Sequence, residues 1–221
     1  MLRGLFITGT DTDVGKTVVA AALLHRYRGQ VLLRYWKPIQ TGIERDDDTA
    51  DVRRLTGCGP DDVFSSGVRL PCRVSPHLAA QLSGCTIELP PLVELVHNEG
   101  GGARWIVEGA GGVLVPINDS ARMADLMVQL GLPVVVVART ALGTINHTLL
   151  TLEALRGRSL HVAGVVMVGQ KEPANREAIE RYGDVAVLGE MPQFATLSCE
   201  QLAAWSALEL DPQSSLLALL Q

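Results

Sequence analysis

Apolar residues along this chain come in short, nearly unbroken runs instead of alternating with polar ones. The runs occupy 5–8, 31–36, 105–107, 134–138, 162–168 and 185–188, and Val, Ile and Leu dominate them. A strand with one wet face alternates apolar and polar positions, so unbroken runs predict strands covered on both faces, as in a parallel sheet. Between the runs lie stretches with helical character at 15–28, 50–55, 76–82, 91–98, 121–130, 146–156, 173–182 and 198–208. This alternation predicts an α/β fold, a doubly wound and mostly parallel sheet flanked by helices. Residues 99–102, Glu-Gly-Gly-Gly, read as a loop before a strand and not as a linker. Residues 1–221 are therefore expected to form one domain.

In such a sheet, ligands bind beyond the carboxyl ends of the strands. The first run, Leu5-Phe6-Ile7, leads into Thr8-Gly9-Thr10-Asp11-Thr12-Asp13-Val14-Gly15-Lys16-Thr17 and then into the helical stretch from Val18. Strand, glycine-bearing loop, Gly-Lys-Thr and helix is the layout of a phosphate-binding loop, which makes the fold P-loop NTPase-like. Backbone N–H groups at the helix start wrap a polyphosphate, the lysine adds charge, and the threonine hydroxyl reaches a metal. Asp13, Val14, Gly15, Lys16, Thr17 and Val18 are the nucleotide contacts this layout suggests. Gly9 and Gly15 stand six apart where the common pattern has five, and the longer loop carries two carboxylates, Asp11 and Asp13.

Other strand ends carry further candidates. The second run closes on Lys37-Pro38-Ile39-Gln40-Thr41-Gly42, where a lysine beside a nucleotide can neutralise charge in a transition state. The third closes on Glu108-Gly109-Ala110-Gly111-Gly112, a carboxylate followed by glycines that admit a ligand, as on the metal side of phosphate-loop enzymes. In the acidic run Asp46-Asp47-Asp48-Thr49-Ala50-Asp51, one or two carboxylates suffice for Mg²⁺ bound together with phosphates. Asp51, just inside the expected helix start, is the best placed of them to be rigid. After 134–138 comes Leu142-Gly143-Thr144-Ile145-Asn146-His147, a loop entering a helix that Thr144 or Asn146 could cap, whose free N–H groups suit a carboxylate. His147 reads as structural, bonded to backbone.

Composition narrows the partners. The 221 residues carry a net charge of −5 and no basic block, which argues against a general nucleic-acid binder. Four scattered cysteines suggest reduced thiols, and with no signal peptide before the first strand the expected location is cytoplasmic. The longest apolar run, 18–24, is too short to span a bilayer, so no membrane association is expected. Residues 214–220 read as a last helix packed on the core or on a partner subunit.

Taken together, from the first strand to about Phe194, these segments resemble the dethiobiotin synthetases. The likeness rests on five motifs in order: Gly9 to Thr17, Lys37 to Gly42, Ser75-Pro76-His77, Val107 to Gly112 and Leu142 to His147. The resemblance implies an ATP- and Mg²⁺-dependent ligase that joins 7,8-diaminopelargonate and CO₂ into dethiobiotin. Lys16 and Lys37 would be catalytic, Thr17, Asp51 and Glu108 would arrange Mg²⁺, and Thr12, Asp13 and Thr41 would line the diamine and carbamate site. Gly109, Ala110 and Gly111 would approach the nucleotide. The family's homodimer implies that Leu142, Gly143, Thr144 and Asn146 bind the substrate's tail carboxylate in the partner's site, and that His77 shapes a substrate-side loop.

Two positions depart from the pattern. Asp13 stands where many members have Glu. Val168-Gly169 stands where many have an Asn-Asp that reads the adenine edge. Base recognition would then fall to backbone groups at Val168 and Gly169 and around Pro192, Gln193 and Phe194. A partitioning ATPase of the same superfamily is the main alternative, but it typically carries a second lysine early in the loop, where this chain has Asp11. The guanine signature of a GTPase is absent, and a cobyrinate-type amidotransferase would need a glutaminase region beyond these residues.

Overall fold

The computed structural model describes residues 2–99 and 102–221. The loop expected at 99–102 falls largely on residues 100 and 101, which lie outside that range. Seven strands form one sheet in the order β4-β2-β6-β1-β7-β8-β9, and every pair is parallel. They are β1 (Gly4–Gly9), β2 (Leu33–Trp36), β4 (Val63–Phe64), β6 (Arg104–Gly112), β7 (Val134–Arg139), β8 (Val162–Val168) and β9 (Val187–Met191). β3 (Ile39–Thr41) and β5 (Val68–Leu70) pair in a second small parallel sheet. From β1 the chain runs out to β2 and β4 on one side, returns to insert β6 between β2 and β1, and then crosses to β7, β8 and β9 on the other side. The crevice therefore opens at the carboxyl end of β1.

The unbroken apolar runs are explained by two cores. Leu5, Ile7, Tyr35, Ile106 and Val135 face one core, while Phe6, Trp36, Trp105, Val107 and Val136 face the other. Successive side chains point to opposite faces, and both faces are covered. Helices α1 (Lys16–Tyr27), α2 (Asp48–Thr56) and α8 (Cys199–Leu208) cover the first face. On the other lie α3 (Pro76–Leu82), α4 (Leu89–Asn98), α5 (Met123–Leu130), α6 (Thr144–Arg156) and α7 (Pro173–Gly183). The C-terminal segment packs on the core through α9 (Leu217–Leu220), with Leu216 and Leu220 fully buried. No helix among the described residues is long and apolar enough to cross a membrane.

Four departures from the sequence expectation bear on the site. Strands β3, β4 and β5 are two or three residues long, too short to show a period. α2 begins at Asp48, two residues before the expected start, because the Asp47 carboxylate caps it by accepting from the Ala50 N–H at 3.0 Å. The cap of α6 is Gly143, at φ 93°, and neither Thr144 nor Asn146 fills that role; the Thr144 hydroxyl donates instead to Arg139 O. Finally, β6 does not stop before Glu108 but continues to Gly112. Gly109 is there for close packing and not for a turn, since a Cβ at that position would sit 2.9 Å from the Phe6 ring.

Candidate active site

The phosphate-binding loop leaves β1 at Gly9 and enters α1 through Gly15, whose φ of 99° is left-handed and whose Cβ, if it had one, would press on Val168. Asp13 also holds a positive φ, 57°. Lys16 is buried, and its Nζ donates to Asp11 O at 2.9 Å. The Thr17 hydroxyl lies 2.9 Å from Asp48 Oδ1 and 3.0 Å from Glu108 Oε1.

Strand register supplies the rest. β2 pairs Trp36 with Val107, so the next residues, Lys37 and Glu108, emerge side by side. Lys37, 3% exposed, directs its ammonium at Glu108 Oε1 (2.7 Å), Asp48 Oδ2 (2.6 Å) and Gly109 O (3.1 Å). Those three acceptors use all of its protons. Glu108 is wholly buried, and its Oε2 accepts from the Tyr35 hydroxyl at 2.8 Å. Burial alone would pull the Lys37 pKa down, but Glu108 and Asp48 outweigh it and hold the group above its ordinary value. Burial would push Asp48 up, yet the Lys37 charge and the bonds from Lys37 and Thr17 bring it below the usual carboxylate range. Lys16 is lowered by burial and then by the neighbouring Lys37 charge. The Tyr35 phenol is driven well up by burial and by Glu108.

Lys16, Thr17, Lys37, Asp48 and Glu108 line a cavity of about 340 Å³, with Thr12, Asp13 and Thr41 on its wall and Val18, Ala110 and Gly111 around it. Asp51 is also on the wall, but its carboxylate pairs with Arg54 at 2.8 Å. The sequence places Asp51 with Thr17 and Glu108 around Mg²⁺; the carboxylate of this helix that meets Thr17 and Lys37 is Asp48. The earlier helix start puts Asp48 one turn ahead of the buried Val52, on the inward face, and that period was the available signal. Three more wall or second-layer residues carried no assigned role in the sequence: Gln40, Tyr35, and Arg73, which bridges Asp13 (2.9 Å) and Asp46 (2.6 Å).

No group of three or more His, Cys, Asp or Glu that could hold a metal stands among the described residues. The convergent donors are instead two carboxylates and the Thr17 hydroxyl, all hard oxygens. That set fits Mg²⁺, which commonly takes one or two carboxylates and completes its shell with water and phosphate oxygens.

A second cavity, of about 790 Å³, opens on the other side of Gly15. Val14, Val168, Gly169, Gln193 and Leu142 line it, while Pro192 and Phe194 are not among its wall residues. Asn175 on α7 also faces it, donating from Nδ2 to Thr140 O at 2.9 Å. Gly143, Thr144 and Asn146 line neither cavity. Leu142, beside them, is 99% exposed. His147 is held by a side chain and not by backbone, with the Arg139 guanidinium 3.2 Å from its Nδ1, and it lines a third, largely apolar cavity of about 530 Å³ with Leu114 and Leu150. His77 lies apart, bonded to Ser75 at 3.0 Å.

Residues 3–201 match the family model described as an AAA domain. The ATP-dependent dethiobiotin synthetase of Paramagnetospirillum magneticum is 50% identical over 91% of this chain and 94% of its own length. The enzyme of the same name from Brucella melitensis biotype 2 is 43% identical over 90% of each chain. Among solved structures, the MinC:MinD cell division complex of Aquifex aeolicus contains a chain matching at TM-score 0.57 and 12% identity. That match covers 96% of this chain and 92% of the other. At that identity the likeness is one of fold.

Proposed function

Because the chain belongs to the ATP-dependent dethiobiotin synthetases, ligases of biotin biosynthesis, we propose that it closes the ureido ring of dethiobiotin at the cavity around Lys16 and Lys37. One amine of 7,8-diaminopelargonate adds to CO₂ and gives a carbamate. The carbamate oxygen attacks the γ-phosphorus of ATP, forming a carbamic-phosphoric anhydride and ADP. The second amine attacks the anhydride carbon, closing the five-membered ring and releasing phosphate.

The observation that carries this reading is the convergence of Lys16 and Thr17 at the start of α1, Lys37 just after β2, Glu108 within β6 and Asp48 at the start of α2. Lys16 and Lys37 place two positive charges where phosphoryl and carbamate oxygens gain negative charge. Lys37 is held by Asp48, Glu108 and Gly109 O before substrate arrives, so little reorganisation accompanies reaction. Thr17, Asp48 and Glu108 would hold Mg²⁺, which supplies charge compensation on the nucleotide phosphates. Thr12, Asp13 and Thr41 would meet the amines and the carbamate, and the nucleotide base would extend into the second cavity beside Val168 and Gly169.

A homodimer accounts for the exposure of Leu142 and for Gly143, Thr144 and Asn146 lining neither of the two cavities beside the phosphate-binding loop. The start of α6 would receive the substrate's tail carboxylate in the partner's site. The expected location of the reaction is the cytoplasm. The test is direct: incubate the protein with diaminopelargonate, bicarbonate, Mg²⁺ and each nucleoside triphosphate, and detect dethiobiotin by mass spectrometry. Absence of product with all four triphosphates would refute the reading, and full activity in a monomer by analytical ultracentrifugation would refute the shared site.

A further inference from the structure

Gln40, the middle residue of β3, is 3% exposed and lines the reaction cavity with Lys37 and Thr41. Its Nε2 donates to Thr41 O at 3.2 Å and to Asp46 O at 2.9 Å. Both partners are carbonyls, so they determine which end of the amide is nitrogen. The other end, Oε1, is buried and accepts from no group among the described residues. Buried acceptors are rarely left without a donor, and an exception calls for a reason. The cavity's lysines do not supply the donor. Lys37 has committed its protons to Glu108, Asp48 and Gly109 O, and Lys16 donates to Asp11 O.

The chemistry of the wall narrows the choice. Its carboxylates are Asp13, Asp46, Asp48, Asp51 and Glu108, and its cations are Lys16, Lys37 and Arg73. Asp48 and Glu108 face Lys37, Asp13 and Asp46 face Arg73, and Asp51 faces Arg54. Gln40 supplies the only side-chain amide on that wall among the described residues. An amine attacks carbon only as the free base, and a carboxylate beside it favours the unreactive ammonium. A neutral carbonyl can hold and aim the amine without that penalty.

We propose that Gln40 Oε1 accepts a hydrogen bond from one amine of the diamine and orients it for attack. The proposal rests on the ligase reading above. The two bonds from Nε2 hold the amide plane, and Oε1 gives the amine a direction that a mobile water would not.

Two variants separate this role from a structural one. Gln40→Met keeps the volume and loses the acceptor, so KM for the diamine rises about tenfold and kcat falls as the amine loses its direction. Gln40→Glu keeps an acceptor but adds charge, so the diamine still binds while kcat falls about tenfold. The deciding measurement is calorimetric binding of the diamine and of the two mono-amino analogues that each lack one amine. In the parent the diamine is preferred over both analogues, and in Gln40→Met the preference over one of them shrinks about tenfold. A parent-like preference in that variant overturns the proposal. Should Gln40→Met lose its affinity for a fluorescent nucleotide, Gln40→Glu decides instead: lowered kcat with KM held supports the proposal, and a parent-like kcat overturns it. A parent enzyme that makes no dethiobiotin would sink the ligase reading itself, whereas one that makes it with the preference unmoved by Gln40→Met would sink this inference alone.

Discussion

On the β6 and β2 side of the phosphate-binding loop, charge is buried and every buried charge has a partner. Lys37, Asp48, Glu108 and the Tyr35 hydroxyl form one connected set, with separations of 2.6 to 2.8 Å. On the β7, β8 and β9 side the cavity is more than twice as large, and the β8 end offers it Val168 and Gly169, an apolar side chain and none. Asn175, which could read a base there, has its amide nitrogen on Thr140 O. The contrast follows from what each side has to do. Stabilising charge that appears only in a transition state needs dipoles and ions held in advance, whereas holding a base that does not react needs only room and a surface. Discrimination is therefore expected to be sharp on the first side and loose on the second.

The largest expected effect comes from removing the centre of the first side. Lys37→Met should lower kcat by about a thousandfold, the scale seen when a preorganised transition-state contact is lost. It should also lower stability by about 3–5 kcal/mol, because Glu108 is left buried without its counter-charge. Steady-state rates and thermal unfolding read the two effects, and a variant within tenfold of the parent rate would remove the basis of the contrast.

Next is the choice between two carboxylates of one helix. Asp48→Asn should raise the Mg²⁺ concentration for half-maximal activity by about tenfold or more. Asp51→Asn should shift it by less than about twofold, since Asp51 faces Arg54. Mg²⁺ titrations of both variants check this, and equal shifts would return Asp51 to the metal site.

The loose side is probed by changing the nucleotide. ATP, GTP, CTP and UTP should support rates within about tenfold of one another. A site built to hydrogen-bond its ligand can reject an analogue by about 10⁴ or more, and a preference of that size would show that the second cavity reads the base closely.

The smallest effect is in pH. Asp48 titrates below its ordinary value when folded, so its contribution is present above the unfolded value of about 3.9 and is lost as pH falls through the folded one. Lys37 titrates above its ordinary value, so its contribution is full below about 10.4 and is lost as pH rises through the folded one. The melting difference between parent and Lys37→Met should therefore be flat from about pH 5 to 9 and narrow outside that window.

Much of this was legible in the chain. The runs from Leu5 and Val134 read as doubly covered strands because burial on both faces leaves no polar alternation. The phosphate-binding loop, Lys37 and Glu108 read as site residues because each follows such a run. What escaped was non-local. From the sequence the helix starts at residue 50 and Asp51 is the rigid carboxylate; only the folded chain shows that Asp47 caps it two residues earlier and that Asp48 meets Thr17 and Lys37. β3 went unseen because three residues carry no period, and with it went the position of Gln40.

By itself, then, the sequence determined the parallel α/β layering, the phosphate-binding loop and the strand ends that border it, since periodicity and short motifs act over a few neighbouring residues. The tertiary structure alone decided that Asp48 and not Asp51 meets Lys37, that Tyr35 supports Glu108, and that Gln40 Oε1 is buried without a donor among the described residues. These outcomes depend on where α2 starts and on the pairing of β2 with β6 and of β3 with β5. Residues tens of positions apart set those contacts, and no local pattern records them.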